Sequence, residues 1–406
     1  MKKAIIIGGG VSGLAAKQLA EKQGFSAEII CDDTHSVLPE ADLIIASPGV
    51  PPLVSRLYQQ AQTSGVEFIG ELEFGFRFWR RPILAITGTN GKTTTTALLT
   101  HLLQQCGIHA ESAGNIGRPL SDLAVDSDAE VAVVEVSNFQ LELAPDFAPL
   151  AAVLLNIQSD HIDRYTDGFA GYCRIKETIF KNVRQENCIR GLNFPEFDPY
   201  RRVTVDAETL FIDGKPILNQ QDTDLPGIPN AENLAAAVEL MLRYDENLIW
   251  DDLERFCKAV KSFKRAAHRI ENAGSGKGIT FVNDSKGTNP AAVAAALDAM
   301  TTPVILMLGG LAKGMDFSIL REKCQKVRHG VLFGQDRAEI AKALAGVFPM
   351  SDTGMDFEAA FDCAIRSAHP GDTVLLSPGC ASMDMFKNYK ERGKKFRELA
   401  AKFINS

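Results

Sequence analysis

The sequence predicts an α/β protein of three domains in series, and three observations support this prediction. The chain has 406 residues, about 2.7 times the length of a typical domain. Short apolar runs alternate with helical patterns along most of the chain, as in the β-α-β units of parallel sheets. The alternation is interrupted near residues 82 and 265, so we expect domains over residues 1–81, 82–265 and 266–406.

The first segment begins with a strand that leads directly into a glycine cluster. A G-x-G-x-x-G pattern follows the apolar run Lys3–Ile7 and consists of Gly8, Gly10 and Gly13. Further strands are predicted at Ala27–Ile30 and Ala41–Ala46. Such glycines let the backbone approach a pyrophosphate that rests on the helix N-terminus, which favours a Rossmann-like domain. A tight turn without any ligand, or a turn that holds the diphosphate of another nucleotide-linked ligand, remain alternatives.

The second segment opens with a stronger nucleotide-binding pattern. The apolar strand Ile83–Ile86 leads into Thr87-Gly88-Thr89-Asn90-Gly91-Lys92-Thr93-Thr94 and then into a helix. In a P-loop, backbone N–H groups encircle phosphate, the lysine reaches the β and γ oxygens, and a hydroxyl can ligate Mg²⁺. The common form has glycine where this chain has Ile86, but the strand–loop–helix context is retained. We therefore predict a P-loop ATPase-like central domain that binds ATP.

A Mg²⁺-ATP site also needs hard oxygen donors near the ends of neighbouring strands. Glu135 lies in the apolar strand Ala129–Val136, where an unpaired carboxylate would be costly, so a metal role is favoured. His161 follows the strand Ala151–Asn156 and stands beside Asp160. Open α/β sheets bind their ligands at the carboxyl ends of strands, so His161 is a second candidate.

The third segment repeats the α/β alternation, and polar clusters follow its strands. The predicted strands are Thr280–Asn283, Pro303–Leu308, Gly330–Phe333 and Thr373–Leu376. The clusters are His268-Arg269, Asp284-Ser285-Lys286-Gly287-Thr288-Asn289 and Ser377-Pro378-Gly379-Cys380-Ala381-Ser382. Each could be turn chemistry, but together they favour a second-substrate site on a Rossmann-like C-terminal domain. A closing helix with Phe386, Tyr389, Phe396, Leu399 and Phe403 at helical spacing predicts core packing.

Composition and charge exclude several classes of function. Apolar residues make up 45% and charged residues 23%, as in globular proteins, and no apolar run approaches the roughly 18 residues of a membrane span. The 43 basic and 51 acidic residues give a net charge of −8, which argues against nucleic acid and anionic membranes as partners. The eight cysteines include no C-x-x-C pair, so we expect a reduced, cytoplasmic protein without membrane insertion.

Taken together, the motifs resemble the Mur ligases. The resemblance covers essentially the whole chain, in order, and rests on the P-loop run, Val134-Glu135-Val136-Ser137-Asn138-Phe139-Gln140-Leu141, Asp160-His161-Ile162-Asp163-Arg164, Asn230-x-x-Asn233, His268-Arg269, Asn283-Asp284-Ser285-Lys286 and Ser377-Pro378-Gly379-Cys380-Ala381-Ser382-Met383-Asp384. The ATP loop is common to the whole family, including folylpolyglutamate synthases. The last two segments point to the branch that adds D-glutamate.

The resemblance implies an ATP-dependent amide ligase that adds D-glutamate to UDP-N-acetylmuramoyl-L-alanine through an acyl phosphate, in peptidoglycan precursor synthesis. The catalytic residues would be Lys92, Glu135, His161 and Lys176. Magnesium would be held by Thr93, Glu135, His161 and Lys176, the lysine being carbamylated and therefore anionic. ATP would be bound by Thr89, Asn90, Gly91, Lys92, Thr93, Thr94, Asn230, Asn233, Arg269 and Asp284.

The resemblance also assigns the two other substrates. The UDP-substrate would be bound by Val11, Ser12, Asp33, Thr34, Ser47, Gly49 and Asn115, which gives the first glycine turn a UDP-sugar instead of a dinucleotide. The amino acid would be bound by Lys286, Thr288, Lys313, Ser382, Met383 and Tyr389. The chain departs from the family at His35, where relatives carry arginine, at Tyr389, where they usually carry phenylalanine, and in a shortened region over 186–227.

The partners implied by the resemblance are these small molecules, and the protein is expected to bind them as a monomer.

Three alternatives to the D-glutamate ligase function remain. Another amino-acid ligase of the Mur and folylpolyglutamate family would share the ATP loop. An NAD-dependent oxidoreductase built on the first domain would leave the ATP loop, Glu135 and His161 without a role. A non-catalytic nucleotide-binding switch would leave the polar clusters of the third segment unused.

Overall fold

Three largely parallel β-sheets lie in separate stretches of the described chain and confirm the predicted α/β class. The computed structural model describes residues 1–158, 160, 164–192, 194, 198–225, 227–264, 268–312 and 314–406. The described residues of 1–157 and 164–263 form one compact unit, and those of 264–406, with Gln158 and Asp160, form another. The boundaries near 82 and 265 stay predictions. Within the described ranges no helix is both long and apolar enough to cross a bilayer.

The first sheet has the strand order β2-β1-β3-β4 and is entirely parallel. Its elements are β1 (Lys3–Ile7), α1 (Val11–Lys22), β2 (Ser26–Ile30), β3 (Leu43–Ala46), α2 (Arg56–Thr63), β4 (Phe68–Gly70) and α3 (Glu71–Phe78). β3 and the last four residues of β1 are apolar and buried, because both faces of the sheet are covered. β4 was not predicted, since three residues are too few to show a periodic pattern.

The second sheet is also parallel and has the order β6-β7-β5-β8-β9. Its elements are β5 (Ile83–Thr87), α4 (Lys92–Gln105), β6 (Ala110–Gly114), α5 (Leu120–Asp126), β7 (Val131–Glu135), α6 (Asn138–Leu141), β8 (Ala151–Leu154), α7 (Phe169–Glu177) and β9 (Cys188–Arg190). β5 lies between β7 and β8, with Ile86 opposite Glu135 and Thr87 opposite Leu154. The P-loop after β5 therefore lies beside the residues that end both neighbouring strands.

A small antiparallel sheet and a helical layer complete the first unit. The elements are β10 (Val203–Asp206), β11 (Thr209–Ile212), β12 (Lys215–Asn219), α8 (Ile228–Asp245), α9 (Asn247–Trp250) and α10 (Leu253–Ser262). Leu98 and Leu102 of α4 share one buried apolar cluster with Leu234 and Val238 of α8. This packing brings the first turns of α8 to the P-loop end of α4.

The third sheet has the order β13-β14-β18-β15-β16-β17, in which β13 runs antiparallel to β14. Its elements are β13 (Glu271–Gly276), β14 (Ile279–Asn283), α11 (Pro290–Asp298), β15 (Val304–Gly309), β16 (Val327–Phe333), α12 (Arg337–Ala343), β17 (Met350–Asp352), α13 (Phe357–Ser367), β18 (Thr373–Leu376) and α14 (Tyr389–Asn405). β14 and β18 are neighbours, so the two polar clusters that follow them meet at one edge of the sheet.

The aromatic stripe of the closing helix packs as predicted. Phe396 is fully buried, and the Phe403 ring lies 5.7 Å from that of Phe281 in β14. Phe386 precedes α14 but still packs edge-on against Phe357, with ring centroids 5.1 Å apart. The stripe therefore attaches α14 to the third sheet.

A buried carboxylate links α3 of the first sheet to α5 beside the second. Glu71 is 1% exposed, and its Oε1 accepts a hydrogen bond from the Ser121 N–H at 2.8 Å. Its Oε2 has no hydrogen-bond partner among the described residues. Burial raises the pKa of Glu71 to about 7. The charged form is thus disfavoured in the folded state.

We expect Glu71→Gln to stabilise the protein in a pH-dependent way. Because the folded-state pKa is raised, the contribution of Glu71 to stability is fully present below about pH 4.5 and is lost as the pH rises through about 7. Glutamine keeps an acceptor for Ser121 and cannot ionise. The free energy of unfolding of the variant should exceed that of the wild type by about 1–3 kcal/mol above pH 7. Urea denaturation across this range checks it, and a gain independent of pH would contradict it.

Candidate active site

The P-loop has the backbone conformation of an anion-binding turn. Gly91 has a φ of +87° and immediately precedes α4. A Cβ at this position would lie 2.2 Å from the Asn233 Oδ1, so only glycine fits. The first turn of α4 offers backbone N–H groups and the positive end of the helix dipole. Phosphate binding is the chemistry that this arrangement supports.

Two asparagines fix the shape of this loop. Asn156, just after β8, accepts a hydrogen bond at its Oδ1 from the Asn90 N–H at 2.9 Å and donates from Nδ2 to the Asn90 carbonyl at 3.2 Å. Asn233 of α8 accepts a hydrogen bond from the Thr95 hydroxyl at 3.2 Å. The loop is therefore held from both sides by side chains. Asn156 was not among the predicted site residues, although its position after a strand was a signal for it in the sequence.

Two lysines meet at one carbonyl oxygen of the loop. The Lys92 Nζ donates to the carbonyls of Gly88 and Thr89, each at 2.8 Å. Lys176 of α7 is 1% exposed, and its Nζ donates to the same Gly88 oxygen at 2.9 Å. The Lys176 ammonium also lies 4.8 Å from the centre of the Tyr172 ring. Two cations held this close repel one another. The site therefore favours an anion bound between the two lysines, or a modification that makes one of the lysines anionic.

Glu135 ends β7 as a buried carboxylate with one unsatisfied oxygen. It is 2% exposed, and its Oε1 accepts a hydrogen bond from the Asn115 Nδ2 at 2.8 Å. Its Oε2 has no hydrogen-bond partner in the described part of the chain. Leaving a buried carboxylate oxygen without a donor is costly, whereas Mg²⁺ prefers such a hard donor. Glu135 therefore fits a metal ligand. The imidazole predicted as a metal ligand, that of His161, lies outside the described residues.

The predicted UDP-substrate residues follow adjacent strands of the first sheet. Val11 and Ser12 open α1 after β1, Asp33 and Thr34 follow β2, and Ser47 and Gly49 follow β3. The turn itself is tight: a Cβ on Gly13 would lie 1.9 Å from the Gly8 carbonyl oxygen. The Ser47 hydroxyl donates to that same oxygen at 3.1 Å. Asn115 follows β6 of the second sheet, and its Nδ2 donates to the Glu135 Oε1 at 2.8 Å. Its contact with the UDP-substrate stays a prediction.

A small cleft lies next to Ser47, and some of its lining residues had no role among the sequence-based predictions. Its lining includes Glu71, Phe139, Gln140 and Arg164. Arg164 forms a two-pronged ion pair with Glu142, with N–O distances of 2.8 and 2.6 Å. Its guanidinium also stacks 4.1 Å from the centre of the Phe139 ring. Phe139 and Arg164 both lie in segments that resemble the Mur ligases, and this was the signal for them in the sequence.

In the second unit, the polar clusters after β14 and β18 meet, and their role as a second-substrate site stays a prediction. The Asp284 carboxylate is 6% exposed and accepts a hydrogen bond from the Ser377 hydroxyl at 2.7 Å. Burial raises the pKa of Asp284 to about 7. The Lys286 Nζ lies 5.2 Å from the centre of the Tyr389 ring. These contacts gather a lysine, an aromatic ring and an acid at one edge of the third sheet.

The candidate residues thus fall into two described groups. The first unit holds Val11, Ser12, Asp33, Thr34, Ser47, Gly49, Thr89, Asn90, Gly91, Lys92, Thr93, Thr94, Asn115, Glu135, Lys176, Asn230 and Asn233. The second unit holds Arg269, Asp284, Lys286, Thr288, Ser382, Met383 and Tyr389. Ser382 is 3% exposed and Met383 is 63% exposed. Lys313 lies outside the described residues.

Two family models match the chain. Residues 86–195 match the Mur ligase middle domain, and residues 268–380 match the Mur ligase glutamate ligase domain. The first match begins at the last strand residues before the P-loop. The second includes the first two polar clusters of the third segment and ends within the cluster that follows β18.

Curated relatives extend this similarity over nearly the whole length. The UDP-N-acetylmuramoylalanine--D-glutamate ligase of Caldicellulosiruptor saccharolyticus is 34% identical over 450 residues, covering 98% of this chain and 98% of that protein. The protein of the same name from Caldanaerobacter subterraneus subsp. tengcongensis is 38% identical over 382 residues, covering 88% of this chain and 83% of its own.

Solved structures share the fold at lower identity. The UDP-N-acetylmuramate-alanine ligase MurC from Thermotoga maritima has a TM-score of 0.63 and 16% identity, covering 99% of this chain and 100% of that one. The MurF ligase from Thermotoga maritima in complex with ADP has a TM-score of 0.59 and 17% identity, covering 90% and 89% of the two chains. With the full-length similarity to curated relatives, the chain therefore belongs to the Mur ligases, in the family of the UDP-N-acetylmuramoylalanine--D-glutamate ligases.

Proposed function

We propose that this chain joins D-glutamate to UDP-N-acetylmuramoyl-L-alanine in an ATP-dependent reaction of peptidoglycan precursor synthesis. The observation that carries the proposal is the P-loop group, in which Lys92, Lys176 and the unsatisfied carboxylate of Glu135 lie around one loop at the end of β5. The full-length similarity to ligases of that name supports the choice of substrates.

The chemistry follows from the residue types. An oxygen of the substrate carboxylate attacks the γ-phosphorus of ATP, the bond to the bridging oxygen breaks, and ADP leaves. The amine of glutamate then attacks the carbon of the acyl phosphate, a proton is lost from nitrogen, and phosphate leaves with the former carboxylate oxygen. Both steps require positioning and charge neutralisation more than covalent help from the protein.

Each group in the first unit has a role in this scheme. The N–H groups at the start of α4 and the Lys92 ammonium would bind and neutralise the ATP phosphates. Glu135 and Thr93 fit Mg²⁺, which supplies charge neutralisation at the phosphates when bound. Asn115 would hold Glu135 in its orientation through the 2.8 Å hydrogen bond. In the second unit, Lys286 would bind a glutamate carboxylate.

Further parts of the proposal concern the setting of the reaction. We expect the first sheet to bind the UDP part of the substrate through the residues that follow β1, β2 and β3. We also expect the protein to act in the cytoplasm, since ATP is a co-substrate and the eight cysteines are unpaired thiols in the structure. We expect it to act as a monomer.

The proposal predicts that turnover depends on all three substrates and on the hand of the amino acid. Phosphate release should require Mg²⁺-ATP, UDP-N-acetylmuramoyl-L-alanine and D-glutamate together, and omission of any one should reduce it to background. L-glutamate should be turned over at least about a hundredfold less efficiently, because a pocket that places both carboxylates misplaces the amine of the other enantiomer. The absence of phosphate release, together with NADH oxidation on another substrate, would favour the oxidoreductase instead.

A further inference from the structure

Arg392 is a fully buried arginine in the second unit. It lies in the first turn of α14 and has no exposed surface. A cation in the first turn of a helix is unfavourably placed with respect to the helix dipole. No carboxylate within the described ranges forms an ion pair with Arg392. A charge buried at such cost requires an explanation.

The guanidinium joins the ends of three adjacent parallel strands. Its Nη2 donates to the carbonyls of Ser285, after β14, and Cys380, after β18, at 2.9 and 3.0 Å. Its Nη1 lies 3.4 Å from the carbonyl of Gly309, the last residue of β15. β18 lies between β14 and β15 in the sheet, so Arg392 crosses this carboxyl edge. Arg392 was not among the predicted site residues, because a single arginine in a helix rich in basic residues forms no recognisable motif.

The loops that Arg392 holds are those predicted to bind the amino acid. Ser285 directly precedes Lys286, and Cys380 lies two residues before Ser382. The Ser285 hydroxyl accepts from the Arg392 Nε at 3.0 Å and donates to the carbonyl of Tyr389 at 2.8 Å. One side chain thus connects the segments that carry Lys286, Ser382 and Tyr389.

The buried guanidinium also keeps its charge. Burial lowers the pKa of Arg392 to about 10, so it is protonated at neutral pH. Asp284 and Asp384 interact with it at longer range and favour the charged form. The edge of the sheet therefore carries a fixed positive charge in a place of low dielectric constant, where its field is weakly screened.

We infer that Arg392 is a positioning residue for the second substrate: it fixes the Lys286 and Ser382 loops, and its positive charge favours an amino acid with two carboxylates. This inference rests on the proposed function, since it takes glutamate as that substrate. A role in positioning glutamate predicts an effect on the KM for glutamate, whereas a role in stability alone predicts loss of active protein without a change in any KM.

The test compares Arg392→Met, Arg392→Lys and the exposed control Arg366→Met of α13. For each purified full-length variant, the KM values for D-glutamate, ATP and UDP-N-acetylmuramoyl-L-alanine are measured by phosphate release. Arg392→Met should raise the KM for D-glutamate about tenfold or more and leave the other two within about twofold, as expected for losing one charge-assisted interaction. Arg392→Lys should fall between this variant and the wild type, and Arg366→Met should match the wild type.

An unchanged KM for D-glutamate, or an equal rise in all three KM values, would overturn the inference. If Arg392→Met does not fold, Ser285→Ala provides the same test, because it removes one acceptor of the guanidinium and keeps the charge. It should raise the KM for D-glutamate about threefold, and no rise would overturn the inference. A wild type that releases no phosphate at all would instead refute the proposed function.

Discussion

Replacing Lys92 by alanine is expected to reduce turnover at least about a thousandfold. Lys92 is the first residue of α4, and its Nζ contacts the carbonyls of Gly88 and Thr89 within the P-loop. In the proposed reaction its charge stabilises the phosphoryl group as it leaves ADP, so the loss should appear mainly in kcat. Phosphate release at saturating concentrations of all three substrates measures it.

The control for this variant is Lys261→Ala. Lys261 lies in α10 of the same unit and forms a surface ion pair with Asp222. Such pairs contribute at most about 1 kcal/mol to stability, so this variant should retain wild-type turnover. Thermal unfolding of both variants verifies that they are folded. Retained activity in folded Lys92→Ala would refute the ATP role of the loop.

Lys176→Ala is expected to be largely inactive and partly rescued by small carboxylates. The Lys176 Nζ is buried and contacts the same Gly88 oxygen as Lys92. A carbamate on Lys176 would replace one of two neighbouring cations by an anion, which removes their repulsion and provides a ligand for Mg²⁺. Formate or acetate in the space left by alanine would supply a similar oxygen donor. Turnover measured against carboxylate concentration checks this expectation.

Two comparisons make the rescue specific. Lys181→Ala, which removes an exposed lysine after α7, should be as active as the wild type with or without carboxylate. Lys92→Ala should not respond to carboxylate, because its missing group is a cation. Full activity of Lys176→Ala without any additive would refute the carbamate. Inactivity that no carboxylate relieves would also contradict it, because Lys176 would then act in some way other than as an anion.

The elements predicted best from the sequence are the buried parallel strands. β1 and β18 have the predicted bounds, and β14 differs by one residue. β4 and β17 have only three residues each, and β13 contains glycines at positions 274 and 276. These strands form because neighbouring strands provide hydrogen-bond partners. Neither the spacing of apolar residues nor the β-propensity of a short segment indicates such pairing.

The site residues also divide into those that a local sequence pattern indicates and those that only the folded structure reveals. The P-loop could be singled out from its residue pattern between a strand and a helix, and Glu135 because a carboxylate conflicts with an apolar strand. Their roles stay predictions. Asn156 and Arg392 act on backbone atoms of distant segments, and no local pattern encodes such contacts. The G-x-G-x-x-G turn was ambiguous for a physical reason: Gly13 is required by its close approach to Gly8, whichever nucleotide the turn serves.

The most direct test of the proposed reaction follows one oxygen atom. UDP-N-acetylmuramoyl-L-alanine labelled with ¹⁸O in both oxygens of the alanine carboxylate is incubated with the protein, Mg²⁺-ATP and D-glutamate, and the released phosphate is analysed by mass spectrometry. Formation of an acyl phosphate predicts one ¹⁸O atom in each phosphate and one in the new amide. Phosphate without ¹⁸O would contradict the account, because the γ-phosphoryl group would then have passed to water and not to the substrate carboxylate.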